Sequence, residues 1–238
     1  VPKVLSLALP VIIGLTASAL VGVADTIMIA PLGTEAMAAA SLTTSFMIIL
    51  YTVTYGIVSI VHIRIAQAEG AGDPAGVSNA LYTGVILAGV LGFVSVALMI
   101  AAFPALRVLG VDEDLLSVLW PYWIAKSFVV APFVVLSVYR GLFNATNRPW
   151  VSTTVAFAAV AINIPVSLAL IHGCLGWPGI GLVGAGGGSF VAQASALGLA
   201  YAYFRMQGSL TKNRRHRAFK LRTMTSTLRD GLPVAISN

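Results

Sequence analysis

The chain has 238 residues, of which 58% are hydrophobic and 9% are charged, and its mean hydropathy is +0.93. Soluble domains carry about 25% charged residues, so a water-soluble globular domain is excluded. The single cysteine, Cys174, excludes an internal disulfide and a cysteine-based metal centre. The composition therefore predicts an all-α polytopic membrane protein.

Six apolar runs are long enough to cross a bilayer core of about 30 Å as helices. They cover residues 4–32, 37–61, 77–105, 116–139, 150–171 and 182–204. The first run is predicted to be a span and not a secretory signal peptide, because it is too long and lacks a small-residue cleavage site. The sequence therefore predicts a bundle of six transmembrane helices.

Span 1 contains Asp25, the only carboxylate inside a predicted span. A short acidic side chain cannot extend far toward the headgroups, and no lysine or arginine lies within one or two turns of it on span 1. Ser18 precedes Asp25 on the same helix face. Asp25 is therefore a candidate functional residue. The alternative is an interfacial position, since Asp25 follows Lys3 by roughly 33 Å of helix.

Span 4 contains the second ionisable residue, Lys126, which follows Trp120 by roughly 9 Å of helix. A lysine at that depth can extend its ammonium group back to the headgroups. We therefore expect Lys126 to be interfacial, with a transport role as the less favoured alternative.

Span 5 contains a polar cluster of Asn163, Pro165 and Ser167, and span 6 contains Ser189. Asn163 and Ser167 share a helix face, while Pro165 frees the carbonyl of Ala161. These groups can ligate a cation or cap a substrate group. A neutral hydrogen bond between helices is an equally good interpretation of span 5.

The basic residues indicate the orientation of the chain, because loops rich in lysine and arginine stay in the cytoplasm. The N-terminus and the loops after spans 2, 4 and 6 carry Lys3, Arg64, Arg140, Arg148 and eight residues between 205 and 229, and the opposite side carries only Arg107. We predict a cytoplasmic N-terminus, a basic cytoplasmic loop over residues 205–230 and an inner (cytoplasmic) membrane location. The same loop is expected to face anionic lipid and not nucleic acid.

The chain becomes apolar again over residues 231–238, where Leu232-Pro233-Val234 repeats the Leu9-Pro10-Val11 of span 1. This repeat predicts that residues 1–204 form a first six-helix lobe and that residues 231–238 begin helix 7 of a second lobe.

Enzyme motifs are absent from the sequence. His62, His172 and His216 lack metal-ligand spacing, and no G-x-S-x-G occurs. The G-x-G-x-x-G of residues 179–184 lacks the preceding strand and the later acidic residue of a dinucleotide site. The glycines up to Gly188 better predict a small-residue helix face that allows close helix packing. We expect neither an enzyme nor a cofactor.

Five short motifs occur in order along the chain. They are V-A-D-T-I-M at residues 23–28, A-Q with G-A-G within residues 66–72, R-G-L-F-N-A-T-N-R-P at 140–149, N-I-P at 163–165 and G-A-G-G-G-S at 184–189. Together they resemble the N-terminal lobe of the multidrug and toxic compound extrusion transporters. The resemblance implies a twelve-helix antiporter of two lobes that exports amphipathic, often cationic, organic compounds in exchange for protons or sodium ions.

The resemblance also implies a cation site. Asp25 and Asn163 would bind a proton or sodium ion, together with Ser189. Supporting or cavity roles would fall to Ser18, Ser167, Pro165 and Pro10, with Pro10 as a bending point of span 1. Ser167 stands where relatives often have Asp or Asn, and Ser18 stands where many have Gln, so Asp25 is the only acid and a two-acid proton site is disfavoured.

Two alternatives remain open. A flippase for lipid-linked precursors, from the same superfamily, would need a more cationic cavity than Lys126 alone supplies. A membrane assembly subunit without transport of its own would also fit a chain of this length.

Overall fold

The computed structural model describes residues 2–174, 176 and 178–207, and for residues 2–8 and 18 it describes the backbone only. The predicted basic loop beyond residue 207, the predicted start of helix 7 at residues 231–238 and the side chain of Ser18 lie outside the described residues.

The described chain is helical and has six helices or helix pairs long and apolar enough to cross a membrane, which confirms the predicted six-helix fold. The helices are α1 (Pro2–Ile29), α2 (Thr34–Gly70), α3 (Pro74–Val108), α4 (Glu113–Ser127), α5 (Val130–Ala145), α6 (Pro149–His172) and α7 (Leu182–Met206). A single 3-10 turn, Ala30–Leu32, follows α1. Helices α4 and α5 together make the fourth span.

Two helices extend well beyond the predicted spans. Helices α2 and α3 have 37 and 35 residues, whereas about 20 suffice for a bilayer core. The sequence prediction stopped each span near its first charged residues. A helix can continue past such residues, because its backbone N–H and C=O groups remain hydrogen-bonded to one another. The turn between them ends where Pro74 begins α3 and the Asp73 carboxylate accepts hydrogen bonds from the backbone N–H groups of Ala75 and Gly76 at 3.0 and 2.9 Å.

The fourth span is interrupted at Phe128 and Val129. Pro132 explains the interruption, because it has no N–H to donate to the carbonyl of Phe128 and its ring crowds that carbonyl. Helix α4 therefore ends one residue after Lys126.

Helices α6 and α7 pack closely through the predicted glycine face. A methyl group added at Gly184 would collide with the backbone of Leu170, and one added at Gly188 would collide with Ser167. The small-residue interpretation of this run is therefore confirmed. Helix α1 also packs on α6, where the Thr153 hydroxyl donates to the carbonyl of Pro10 at 2.6 Å.

Candidate cation and substrate site

A cavity of about 520 Å³ opens between the helices and is lined by residues of every helix except α3. Three charged residues reach it, namely Asp25 from α1, Lys126 from α4 and Arg140 from α5. Asn163 and Ser189 contribute polar groups from α6 and α7. The cavity thus brings together the three residues that the sequence assigned to a cation site.

The central contact of the cavity is an ion pair between Asp25 and Lys126. The Lys126 ammonium donates to Asp25 Oδ2 at 2.8 Å, and the side chains of Lys126 and Asp25 are only 11% and 13% exposed. An isolated charge in such surroundings is costly, so each residue stabilises the charge of the other.

Ser189 forms hydrogen bonds with both residues of this ion pair. Its Oγ accepts a second hydrogen bond from the Lys126 ammonium at 2.8 Å. The single hydroxyl proton of Ser189 is then shared between two acceptors, Asp25 Oδ2 at 3.2 Å and the Ala185 carbonyl at 2.9 Å. Helices α1, α4 and α7 are therefore linked through one polar cluster.

Two buried oxygens in the cavity have no hydrogen-bond partner. They are Asp25 Oδ1 and Asn163 Oδ1. The amide nitrogen of Asn163 is engaged, since it donates to Ser167 Oγ at 3.4 Å, and this leaves its oxygen as the free end of the side chain. Buried polar atoms are nearly always paired, and oxygen ligands suit hard cations such as Na⁺. The residues present therefore fit a cation.

The interfacial prediction for Lys126 is wrong. Its ammonium points into the protein and pairs with Asp25, a residue 101 positions away in the chain. The distance of a lysine from the end of its span shows whether its ammonium can reach the headgroups. That distance does not show which side chains of other helices lie beside the lysine.

Arg140 was also misplaced by the sequence prediction, which assigned it to a cytoplasmic loop. It lies in α5 and lines the cavity, and its Nε is buried without a partner. Among the described residues, no carboxylate forms an ion pair with it. One feature of the sequence could have placed Arg140 in the helix. An uninterrupted apolar run ends at Arg140, and no helix-breaking residue separates the two.

Three of the predicted supporting residues, Ser167, Pro165 and Pro10, lie outside the wall of the cavity. Ser167 is fully buried where α6 packs on α7. Pro165 lies on the exposed face of α6, away from the cavity. Pro10 lies within α1, bound through its carbonyl to α6. Their predicted roles stay predictions.

A bundle of six apolar spans with a buried ion pair and unpaired polar groups around an internal cavity defines the class of multi-pass membrane proteins with a polar internal site. Comparison with known families is more specific. The MatE family model matches residues 10–169, and the chain belongs to this family, the multidrug and toxic compound extrusion transporters.

Curated relatives carry multidrug-resistance names. A probable multidrug resistance protein NorM of Bradyrhizobium diazoefficiens is 31% identical over 68% of this chain and 35% of its own length, and one of Deinococcus radiodurans is 33% identical over 78% and 41%. Multidrug resistance protein MdtK of Edwardsiella ictaluri is 28% identical over 99% and 52%. The chain spans about half the length of the relatives it matches, or less.

Solved structures show the same fold. A MATE transporter of Vibrio cholerae superposes with a TM-score of 0.86 at 15% identity, covering 97% of this chain and 52% of that protein. A MATE structure in complex with MaD3S superposes with a TM-score of 0.84 at 23% identity, covering 98% and 52%.

Proposed function

We propose that this chain supplies one lobe of a secondary antiporter that exports amphipathic organic compounds in exchange for protons or sodium ions, with Asp25 as the coupling residue. The observation that carries the proposal is the buried carboxylate in the cavity, which has one oxygen paired and one oxygen free. Such a carboxylate can bind either a proton or a metal cation, so it can serve as the coupling group for either ion.

The rest of the cavity wall supports an amphipathic substrate. Met37 and Met47 of α2 and Phe133 of α5 line it beside the charged groups. Methionine side chains adapt to varied shapes, so such a wall favours broad over narrow specificity. An amphipathic compound would place its apolar body against these residues and its polar group toward Lys126, Asp25 or Arg140.

A second lobe is part of the proposal. Alternating access requires two repeats that move against each other around a shared site, and the structurally similar MATE transporters are about twice as long as this chain. We propose an inner-membrane protein with its N-terminus in the cytoplasm. Neutralising Asp25 would then allow α1 to bend at Pro10 and the cavity to contract.

The experiment is ion-driven efflux by the complete protein in proteoliposomes, with a proton or sodium gradient applied separately. Asp25→Asn should abolish gradient-driven efflux, because an amide does not exchange a proton or bind a cation as a carboxylate does. Arg107→Gln is the control, since it alters an exposed ion pair with Glu113 outside the cavity. Wild-type efflux by Asp25→Asn with unchanged ion dependence would contradict the proposal.

Arg140 favours a second candidate, a flippase for anionic lipid-linked precursors. Two cations, Lys126 and Arg140, face one carboxylate, Asp25, so the charged residues of the cavity carry one net positive charge. This is more cationic than the sequence alone indicated. A competition assay with matched amphipathic cations and anions tests the choice. Preference for the anion, lost in Arg140→Gln, would favour the flippase, and preference for the cation would favour drug export.

A further inference from the structure

The Lys126 ammonium already neutralises the Asp25 carboxylate, the group to which a coupling cation would bind. It holds Oδ2 of Asp25 and Oγ of Ser189 at the same distance, 2.8 Å. Asp25 Oδ1 and Asn163 Oδ1 stay without partners. The cavity thus contains oxygen ligands for a cation and, bound to one of them, a positive charge that belongs to the protein.

We propose that Lys126 is the resident cation of this site, a tethered counter-ion that the coupling cation must displace before it binds Asp25. The inference rests on the proposed coupling role of Asp25 and specifies how that site is regulated. Two positive charges on one carboxylate repel each other strongly where water is scarce. A mobile cation and the ammonium therefore bind as alternatives.

The structure provides room for the displaced side chain. Lys126 has a flexible four-carbon stem, and it borders a cavity of about 520 Å³ that is shared with Tyr51 of α2 and Tyr122 of α4. The helix ends at Ser127, one residue beyond Lys126. A rotamer change can therefore move the ammonium away from Asp25 and into the cavity, where the rings of Tyr51 and Tyr122 remain beside it.

Displacement would link ion entry to substrate release. When a cation neutralises Asp25, the freed Lys126 ammonium and Arg140 leave two uncompensated positive charges at the cavity. A cationic substrate would then be repelled from the cavity, whereas an anionic one would be attracted. The tethered counter-ion thus predicts that a cationic substrate exchanges with the coupling ion, whereas an anionic substrate binds together with it.

The test is binding of radioactive Na⁺ to the purified complete protein in detergent at fixed pH. Lys126→Met removes the charge but keeps a long unbranched side chain. This variant should bind Na⁺ at least about ten-fold more tightly than the wild type, because the positive charge that competes with Na⁺ for Asp25 is gone. Lys126→Arg keeps the charge and should bind as weakly as the wild type. Asp25→Asn combined with Lys126→Met should lose the gain.

Arg107→Met is the matched control, since it removes one positive charge from an exposed ion pair and should leave Na⁺ binding unchanged. If Lys126→Met does not fold, Lys126→Gln tests the same point with a residue that still hydrogen-bonds Asp25. Equal Na⁺ affinity in the wild type and the neutral variant, or a gain that survives Asp25→Asn, would overturn the inference.

The two proposals fail separately. Wild-type efflux driven by an ion gradient, without an affinity gain in Lys126→Met, would sustain the antiporter and reject the tethered counter-ion. An affinity gain that depends on Asp25, without gradient-driven efflux by the wild type, would sustain the tethered counter-ion and reject the antiporter.

Discussion

The indole N–H of Trp123 donates a hydrogen bond of 2.7 Å to the carbonyl of Met99, and this bond holds α4 against α3 one turn before Lys126. Trp123 is completely buried, although tryptophans near span ends usually face the headgroups. Its ring also contacts Phe46 and Phe103, with ring centroids at 5.1 and 5.9 Å. Trp123 therefore positions the helix that carries the ion pair.

We predict that Trp123→Phe lowers the free energy of unfolding by about 1–3 kcal/mol, because it removes the hydrogen bond and leaves unfilled volume. Thermal unfolding of the complete protein in detergent measures the effect. Trp120→Phe is the control, since Trp120 is 39% exposed and should change stability much less. Equal effects of the two substitutions would show that Trp123 has no special positioning role.

The buried ion pair predicts a non-additive effect on stability. Asp25→Asn leaves the Lys126 ammonium without its charged partner and should destabilise the protein by about 1–3 kcal/mol. Adding Lys126→Met to Asp25→Asn should restore part of that loss, because the unpaired charge is then gone. The measurement is a double-mutant cycle of unfolding temperatures. Strictly additive effects would mean that the two charges do not interact.

The glycine face of α7 predicts a selective packing defect. Gly184→Ala should destabilise the protein by about 1–3 kcal/mol, because the added methyl group meets the backbone of Leu170 and forces α6 and α7 apart. Gly198→Ala lies on the same helix with nothing within 4 Å of its added methyl group and should be neutral or slightly stabilising. Unfolding temperatures of the two variants decide the point, and a stable Gly184→Ala would contradict it.

The proposed orientation predicts opposite labelling at two positions in intact cells. Native Cys174 is exposed after α6 and should react with a membrane-impermeant thiol reagent added outside. A cysteine introduced at Asn213, in a Cys174→Ser background, should react only after the membrane is opened, since loops rich in basic residues stay inside. The reverse pattern would place the N-terminus outside.

The sequence by itself determined the six spans, the family resemblance and the candidacy of Asp25. These are local properties, because an apolar run reveals its length directly and a carboxylate within such a run is visible in any single helix. The pairing of Asn163 with Ser167 also follows from helical spacing alone, and the structure shows a hydrogen bond between them.

The tertiary structure decided the partners and the helix faces. In a membrane protein the lipid-facing and helix-facing sides of a span are both apolar, so the pattern of apolar residues does not reveal which side chains meet. The ion pair of Lys126 with Asp25 joins two spans far apart in the chain, and Arg140 and Trp123 turn inward for the same reason. The charge balance of the cavity, on which the substrate depends, exists only once these helices pack together.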